Sequence, residues 1–335
     1  MFDQNQQVPV MLCIANSCTD PYFNLAAEEY LLHNFSENCF MLWRNENTVV
    51  VGKHQNALAE INPGFVRENK IRIARRISGG GTVYHDMGNL NFTFIMNGKH
   101  GHLVDFRKYT RPILEVLHKL SVDARFQGRN DLTINGKKIS GNAEHVYRKR
   151  VLHHGTLLFL SELGKLNLAL SADPLRYKSK AVKSIRSQVT NIREHLKTPI
   201  DIIQFRDMIL EHIMQSFPGS VFYEFTEDDM KAINRLKTEK YSTWEWIFGY
   251  SPEYELEKSF LVDGCRLTIR LNVTGGIIRK ARIDGDFQET PDIRRLEMSL
   301  EGARHDENEL TGKLESAVFP EGFFITPREL ITAIF

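Results

Sequence analysis

Arg75-Arg76-Ile77-Ser78-Gly79-Gly80-Gly81-Thr82-Val83-Tyr84-His85-Asp86 sets three consecutive glycines between two arginines and a His-Asp pair. The segments around it, Ile71 to Arg76 and Leu90 to Met96, read as strands, the second with Leu90, Phe92, Phe94 and Met96 on one face. Glycines in such a run bury no side chain and are costly to order. They suit a backbone that must approach a ligand closely and aim its N–H groups at anionic oxygens. Arg75 and Arg76 add charge suited to phosphate or carboxylate. Thr82-Val83 stands where a Walker loop needs Lys-Ser/Thr, and Tyr84 stands where a dinucleotide fingerprint needs glycine. The alternative is a bare glycine turn in a hairpin, and the flanking arginines favour anion binding over it. His85 and Asp86 are neighbours on an extended chain and point to opposite faces, so they are expected to brace the loop, not to form a dyad.

A second stretch, Asn130-Asp131-Leu132-Thr133-Ile134-Asn135-Gly136-Lys137-Lys138-Ile139-Ser140-Gly141, carries the strongest short hairpin signal, Asn-Gly between apolar runs. A two-residue turn pairs Ile134 with Lys137, Thr133 with Lys138, Leu132 with Ile139 and Asp131 with Ser140. Alternation then puts Leu132, Ile134, Ile139 and the Lys137 stem on one face, and Asp131, Thr133, Lys138 and Ser140 on the other. Lys138, not Lys137, is the lysine that can share a site with Asp131. A simple surface ion pair is the alternative. Beside an anion cradle, Asp131 could help hold Mg²⁺ on phosphate oxygens, and Lys138 could stabilise charge where a carboxylate meets an α-phosphate.

The rest of the chain is consistent with a folded soluble protein. Its 335 residues suggest a main domain plus an accessory one, with 42% apolar and 25% charged residues. With 43 basic against 42 acidic residues there is no net-charge case for nucleic acid or a membrane surface. Cys13, Cys18, Cys39 and Cys265 make no C-x-x-C pair and are expected to be free thiols in a reducing cytoplasm. Met1 to Pro9 lacks the pattern of a leader, and no run is apolar enough for a membrane helix. Asp20-Pro21 starts a helix, Cys39 to Arg44 and Thr48 to Gly52 suggest a hairpin turned at Asn45-Glu46-Asn47, and Ile113, Val116, Leu117 and Leu120 mark another helix. Val151 to Leu160 reads as a strand. Arg266 to Val273 and Ile277 to Ile283 suggest an exposed hairpin turned at Thr274-Gly275-Gly276, and Thr326-Pro327 starts a last short helix. Interleaved elements point to an α/β (α+β) fold with a mixed sheet over 1–248, a linker near Phe248 to Pro252, and a smaller α+β domain over 252–335.

In these residues the chain resembles the lipoate–protein ligase family. The family's arginine-serine-triple-glycine loop matches Arg75 to Asp86 and continues through Gly88-Asn89-Leu90-Asn91. Its Asn-Asp and Lys-x-Ser-Gly elements match Asn130-Asp131 and Lys138 to Gly141, and further matches are His153 to Leu157, Val189 to Asn191, and Trp244-Glu245-Trp246 with Gly249. The resemblance spans nearly the whole chain. It implies a biotin/lipoate ligase-like mixed-sheet domain that joins lipoate (or octanoate) to AMP from Mg·ATP. The acyl group would then pass to a lysine of a lipoyl-domain acceptor, such as an E2 subunit or the glycine-cleavage H protein. ATP and Mg would enter as substrate and activator, without a permanently bound cofactor, and a monomer is the default. The resemblance implies a catalytic role for Lys138 and Mg binding by Asp131. It further implies a substrate and ATP site of Arg76, Ser78, Gly80, Gly81, Thr82, Val83, Tyr84, His85, Asn130, Asp131, Lys138, Ser140, Gly141 and His154. Arg72 and Arg75 are given smaller or structural roles. Lys178 to Thr190, with Ser184 and Arg186, is read either as a lid over the adenylate or as a solvated basic loop. Val83, Leu157 and the Leu25 helix are candidate pocket lining.

Within the same fold the rivals are a transferase using preformed lipoyl-AMP and an octanoyltransferase. The second needs a cysteine nucleophile, and none lies between Cys39 and Cys265. A lipoyl-domain-binding protein without catalysis is the reading from another class.

Overall fold

The computed structural model describes residues 11–98, 104–170, 176–262, 264–285, 291–317, 319 and 325–335, so the reading of Met1 to Pro9 lies outside the described residues. In chain order come β1 (Met11–Ala15), α1 (Pro21–Asn34), β2 (Asn38–Trp43), β3 (Thr48–Val51), α2 (Ala57–Glu60), α3 (Pro63–Glu68), β4 (Arg72–Arg75), β5 (Val83–His85) and β6 (Asn89–Asn97). There follow α4 (Phe106–Lys119), β7 (Ala124–Gln127), β8 (Asp131–Ile134), β9 (Lys137–Tyr147), β10 (Arg150–Leu158), α5 (Leu163–Ala169), β11 (Tyr177–Ser179), α6 (Ile202–Ser216), β12 (Val221–Phe222) and α7 (Glu227–Leu236). The chain ends with β13 (Tyr254–Val262), β14 (Cys265–Thr274), β15 (Ile277–Gly285), α8 (Pro291–Leu300), α9 (Glu307–Ser316) and α10 (Pro327–Ile334). Two compact units result. One holds Met1–Gly52, Arg72–Asn167 and Ile185–Ser242; the other holds Lys53–Ile71, Leu168–Ser184 and Thr243–Phe335.

The first unit is built on an eight-stranded mixed sheet in the order β12-β1-β2-β6-β10-β9-β8-β7. Its strands are parallel at β12–β1–β2 and antiparallel from β2 to β7. Leu90, Phe92, Phe94 and Met96 share one face as the alternation requires, and pack with Ile113, Val116 and Leu117 of α4 and Phe205, Ile209 and Ile213 of α6. The opposite face receives α1, whose Asp20 cap accepts from the Tyr22 amide. A separate three-stranded sheet, β4-β3-β5, carries the glycine loop between β4 and β5.

Three local expectations need correction. Asn45-Glu46-Asn47 is not a hairpin turn: β2 and β3 lie in different sheets, and Asn45 is fully buried in a polar knot with Asn24 and His85. The Asn135-Gly136 turn forms, with both residues at positive φ and with Ile134 opposite Lys137 and Thr133 opposite Lys138. Beyond that pair, however, a bulge inserts Ile139, so Leu132 faces Ser140 and Asp131 faces Gly141. Lys137 is exposed, and its stem does not join the apolar face.

In the second unit, the order β11-β13-β14-β15 makes β14 a central strand. The predicted hairpin is therefore not an exposed one: Leu267, Ile269, Leu271, Val273, Ile278, Ala281 and Ile283 are buried. Gly275 and Gly276 turn it with φ of 61° and 73°. A Cβ on Gly276 would lie 2.3 Å from the Trp244 ring and 3.0 Å from Gly249 Cα. Gly276→Ala should therefore destabilise this unit by about 2–4 kcal/mol, from left-handed strain plus overpacking. Urea unfolding that differs from the parent by less than about 0.5 kcal/mol would refute this packing argument.

Candidate active site

The glycine loop is shaped from inside by Arg76. Its guanidinium is buried and donates to the carbonyls of Val50 (3.1 Å), Gly79 (2.8 Å) and Gly81 (2.6 Å), and through Nε to Ser78 Oγ (3.0 Å). Burial lowers its pKa to about 10, against the pull of Glu28, so it stays protonated at neutral pH. Gly80 sits at φ +87°, a Cβ there would lie 3.2 Å from Arg76 Nη2, and the residue is exposed. With the carbonyls turned onto Arg76, the amides of Gly80 and Gly81 donate to no group among the described residues. A cradle of free N–H groups beside a positive charge is a place for phosphate or carboxylate oxygens.

A buried polar chain holds this loop against the sheet. His154 Nδ1 meets both oxygens of Glu28, at 2.9 and 3.1 Å, so it carries the proton and Nε2 is left to accept from Ser78 Oγ at 2.7 Å. Thr93 Oγ1 donates to Glu28 at 2.6 Å and accepts from Trp43 Nε1 at 2.9 Å. Glu28, Thr93 and Trp43 escaped the sequence reading. The available signal was a carboxylate among the apolar residues of α1, where an unpaired charge would be costly. His153, on the opposite pleat, pairs with Glu144 at 2.9 Å and packs on Phe92 and Tyr109.

Lys138 Nζ lies 2.8 Å from Asp131 Oδ1, with the two side chains 27% and 29% exposed. They share one face because Lys138 stands opposite Thr133, two residues along β8 from Asp131; the bulge lies beyond that pair and puts Gly141, not Ser140, opposite Asp131. A Cβ at Gly141 would come within 3.1–3.2 Å of Lys138 Cε and Nζ. Lys138 is also strapped by its backbone: its N–H donates to Gln188 O at 2.8 Å, and its carbonyl accepts from Thr190 N at 3.1 Å. Asp131 keeps a second oxygen open among the described residues. No three Asp, Glu, His or Cys side chains among the described residues converge on a metal-sized point. A lone carboxylate of this kind fits Mg²⁺ that also takes phosphate oxygens.

Other expected site residues are placed as follows. Ser140 is buried opposite Leu132 and accepts from Asn142 Nδ2, away from Asp131. Asn130 braces the bulged pair through Asn142. The Tyr84 side chain lies on the other pleat from Val83 and His85 and reaches Asn47 Oδ1 at 3.4 Å; Thr82 and Val83 are half-buried at the loop's end. His85 and Asp86 brace as expected, to Asn45 and to the amides of Gly88 and Glu162. Leu157 belongs to the core against α4 and α6, so it cannot line a pocket on the Lys138 face. Arg75 is fully buried and donates to Gly52 O, and Arg72 pairs with Asp20 and Glu46, as structural roles require. In the Lys178 to Thr190 segment, Lys178 pairs with Glu257 and Ser184 bonds to Glu60, while Ile185 is 91% exposed and Arg186 is exposed. Burial raises the thiol of Cys13 to about 11 and that of Cys39 to about 12, and Cys18 is also raised, so none is a ready thiolate. The Cys265 side chain lies outside the described residues.

Residues 20–214 match the lipoyl protein ligase A/B catalytic domain, and residues 251–334 match the bacterial lipoate protein ligase C-terminus. The chain is 40% identical to lipoate–protein ligase 1 of Staphylococcus aureus over 293 residues, covering 87% of this chain and 89% of that protein. It is 38% identical to lipoate-protein ligase LplJ of Bacillus subtilis, covering 91% and 94%. Its fold superposes on the crystal structure of P. falciparum LipL1 in complex with lipoate with a TM-score of 0.60 at 25% identity, over 96% of this chain and 98% of that one. By these matches and by its paired cradle and lysine, the chain belongs to the lipoate–protein ligase family.

Proposed function

We propose that the chain activates lipoate with Mg·ATP and transfers the lipoyl group to an acceptor lysine, with Lys138 as the catalytic residue. The observation that carries this reading is the Lys138–Asp131 pair on one face of the bulged hairpin, on the sheet face covered by the glycine cradle. The free amides of Gly80 and Gly81 bind phosphate oxygens. Asp131 would help hold Mg²⁺, which would supply charge neutralisation to the phosphates. The lipoate carboxylate attacks the α-phosphorus, the bond to the β-phosphate oxygen breaks, and pyrophosphate leaves. Lys138 offsets the negative charge gathered between carboxylate and phosphate. In the second step the neutral amine of the acceptor lysine attacks the acyl carbon; the acyl–phosphate bond breaks, AMP leaves, and the amine gives up its proton. The acceptor is a lipoyl domain, of an E2 subunit or of the glycine-cleavage H protein.

The division of labour follows the same reading, with catalysis over 1–248 and an accessory role for 252–335. Cytoplasmic work as a monomer is part of the proposal. Among the described residues no helix is long and apolar enough to cross a membrane. The buried thiols of Cys13 and Cys39 speak against acyl transfer through cysteine. Lipoate-dependent ATP–pyrophosphate exchange is the test. Exchange is expected with the chain alone. Its absence, with transfer from supplied lipoyl-AMP intact, would replace the ligase reading with the transferase one.

A further inference from the structure

The sheet face that carries the site has one cross-strand row that can be followed residue by residue. Trp43 on β2 pairs with Asn91 on β6, Asn91 pairs with Thr156 on β10, Thr156 Oγ1 accepts from the Gly141 amide on β9, and Gly141 pairs with Asp131 on β8. Cross-strand partners point to the same side, and neighbouring strands lie about 4.8 Å apart, so Trp43 to Gly141 spans roughly 14 Å. One end is the Lys138–Asp131 pair. Laid along this row with its carboxylate at Lys138, an extended eight-carbon acid would bring its far end toward Asn91 and Trp43.

The far end has an unusual feature. Asn91 is 1% exposed, and its Oδ1 accepts from Asn89 Nδ2 at 2.9 Å, which leaves Asn91 Nδ2 and Asn89 Oδ1 each without a partner. His85 is 3% exposed and packs edge-on against Trp43. Its tautomer follows from the neighbouring network. Asn24 Nδ2 donates to the carbonyls of Cys18 and Arg44 and to Asn45 Oδ1, so Asn45 Nδ2 must donate to His85 Nδ1. The proton is therefore on His85 Nε2, which has no acceptor among the described residues. Burial, with Arg76 and His154 nearby, lowers the pKa of this histidine to about 3 and keeps it neutral. Two buried N–H donors without acceptors, both beside Trp43, are costly unless something that arrives accepts from them.

We infer that Asn91 and His85 are specificity-determining residues for the far end of the acid, favouring a chain that ends in hydrogen-bond-accepting sulfur over one that ends in methyl. This rests on the ligase reading above and deepens it. The dithiolane of lipoate presents polarisable sulfur lone pairs to the two donors, whereas the methyl end of octanoate leaves both donors unpaired. A site built to hydrogen-bond its substrate discriminates most strongly against the analogue that cannot respond.

The test is ATP–pyrophosphate exchange measured separately with lipoate and with octanoate. In Asn91→Leu, which keeps volume and removes the donor, the lipoate-to-octanoate ratio of kcat/KM should fall about tenfold. Asn91→Ser, which keeps a donor in a smaller side chain, should retain most of the preference. A merely structural role would lower both acids together and leave the ratio unchanged. An unchanged ratio in Asn91→Leu, or equal loss of preference in Leu and Ser variants, overturns the inference while leaving the ligase reading intact. No exchange by the parent chain with either acid overturns both.

Discussion

Lys138→Ala should lower lipoate-dependent ATP–pyrophosphate exchange by about 10²–10³-fold, the size expected for removing one preorganised charge from a transition state, and should leave the fold in place. The two halves of that expectation have separate physical grounds. Chemically, attack on the α-phosphorus brings an anionic carboxylate onto an anionic phosphate. Only the Lys138 ammonium, held 2.8 Å from Asp131, is assigned to that point. Structurally, its side chain is about a quarter exposed and makes a single ion pair of a kind worth at most about 1 kcal/mol. The strap to Gln188 and Thr190 is made by backbone atoms and survives the substitution. A melting temperature within a few degrees of the parent is therefore expected alongside the lost exchange. Near-normal exchange in a folded Lys138→Ala chain would sink the catalytic assignment. A kcat close to normal with a raised KM would reduce Lys138 to a binding group.

Much of this site was legible because its parts are local. The triple glycine that follows two arginines and the Asn135-Gly136 turn depend on backbone freedom at named positions, and both appear where alternation and turn chemistry place them. The pairing of Lys138 with Asp131 was also read correctly, although the register behind it was not. Parity counted from the turn predicts Ser140 opposite Asp131. The bulge at Ile139 shifts the pairing by one, and the carboxylate still meets the ammonium because the slip lies beyond Lys138. Nothing in the local sequence signals that bulge: Ile139 is taken up by a core that includes α4, α6 and residues of β1, β2, β6, β7, β8 and β10. The Asn45 crossover was missed for a similar reason. Its partners, Asn24 and His85, are 21 and 40 residues away, and a polar tripeptide between two strands reads locally as a turn. The same distance hid Glu28, 126 residues from His154, although that contact fixes which nitrogen of His154 faces Ser78.

Gly80→Val should abolish ATP-dependent activity, and the geometry says why no milder outcome is expected. Gly80 is held at φ +87°, a conformation that costs a β-branched residue about 1–2 kcal/mol or more. Its new Cβ would press to 3.2 Å from Arg76 Nη2, the atom that bonds the carbonyls of Gly79 and Gly81. Arg76 cannot yield freely, because Nη1 holds Val50 O and Nε holds Ser78 Oγ, which is itself tied to His154. The loop has to move instead, and with it the Gly80 and Gly81 amides aimed at phosphate. Ordering energy for the cradle is lost together with its shape, so ATP affinity should fall by about 10²-fold or more, in line with about 3 kcal/mol of strain and lost hydrogen bonds. Global stability should change less, since Gly80 is exposed and outside the packed core. Calorimetric titration of Mg·ATP, with thermal melting as the control, separates the two effects. Unchanged ATP binding by a well-folded Gly80→Val chain would show that the phosphates do not rest on this loop. The parallel substitution at Gly79, where a Cβ meets nothing within 4 Å, is the internal comparison: Gly79→Ala adds bulk to the same loop without touching Arg76 and should weaken binding far less.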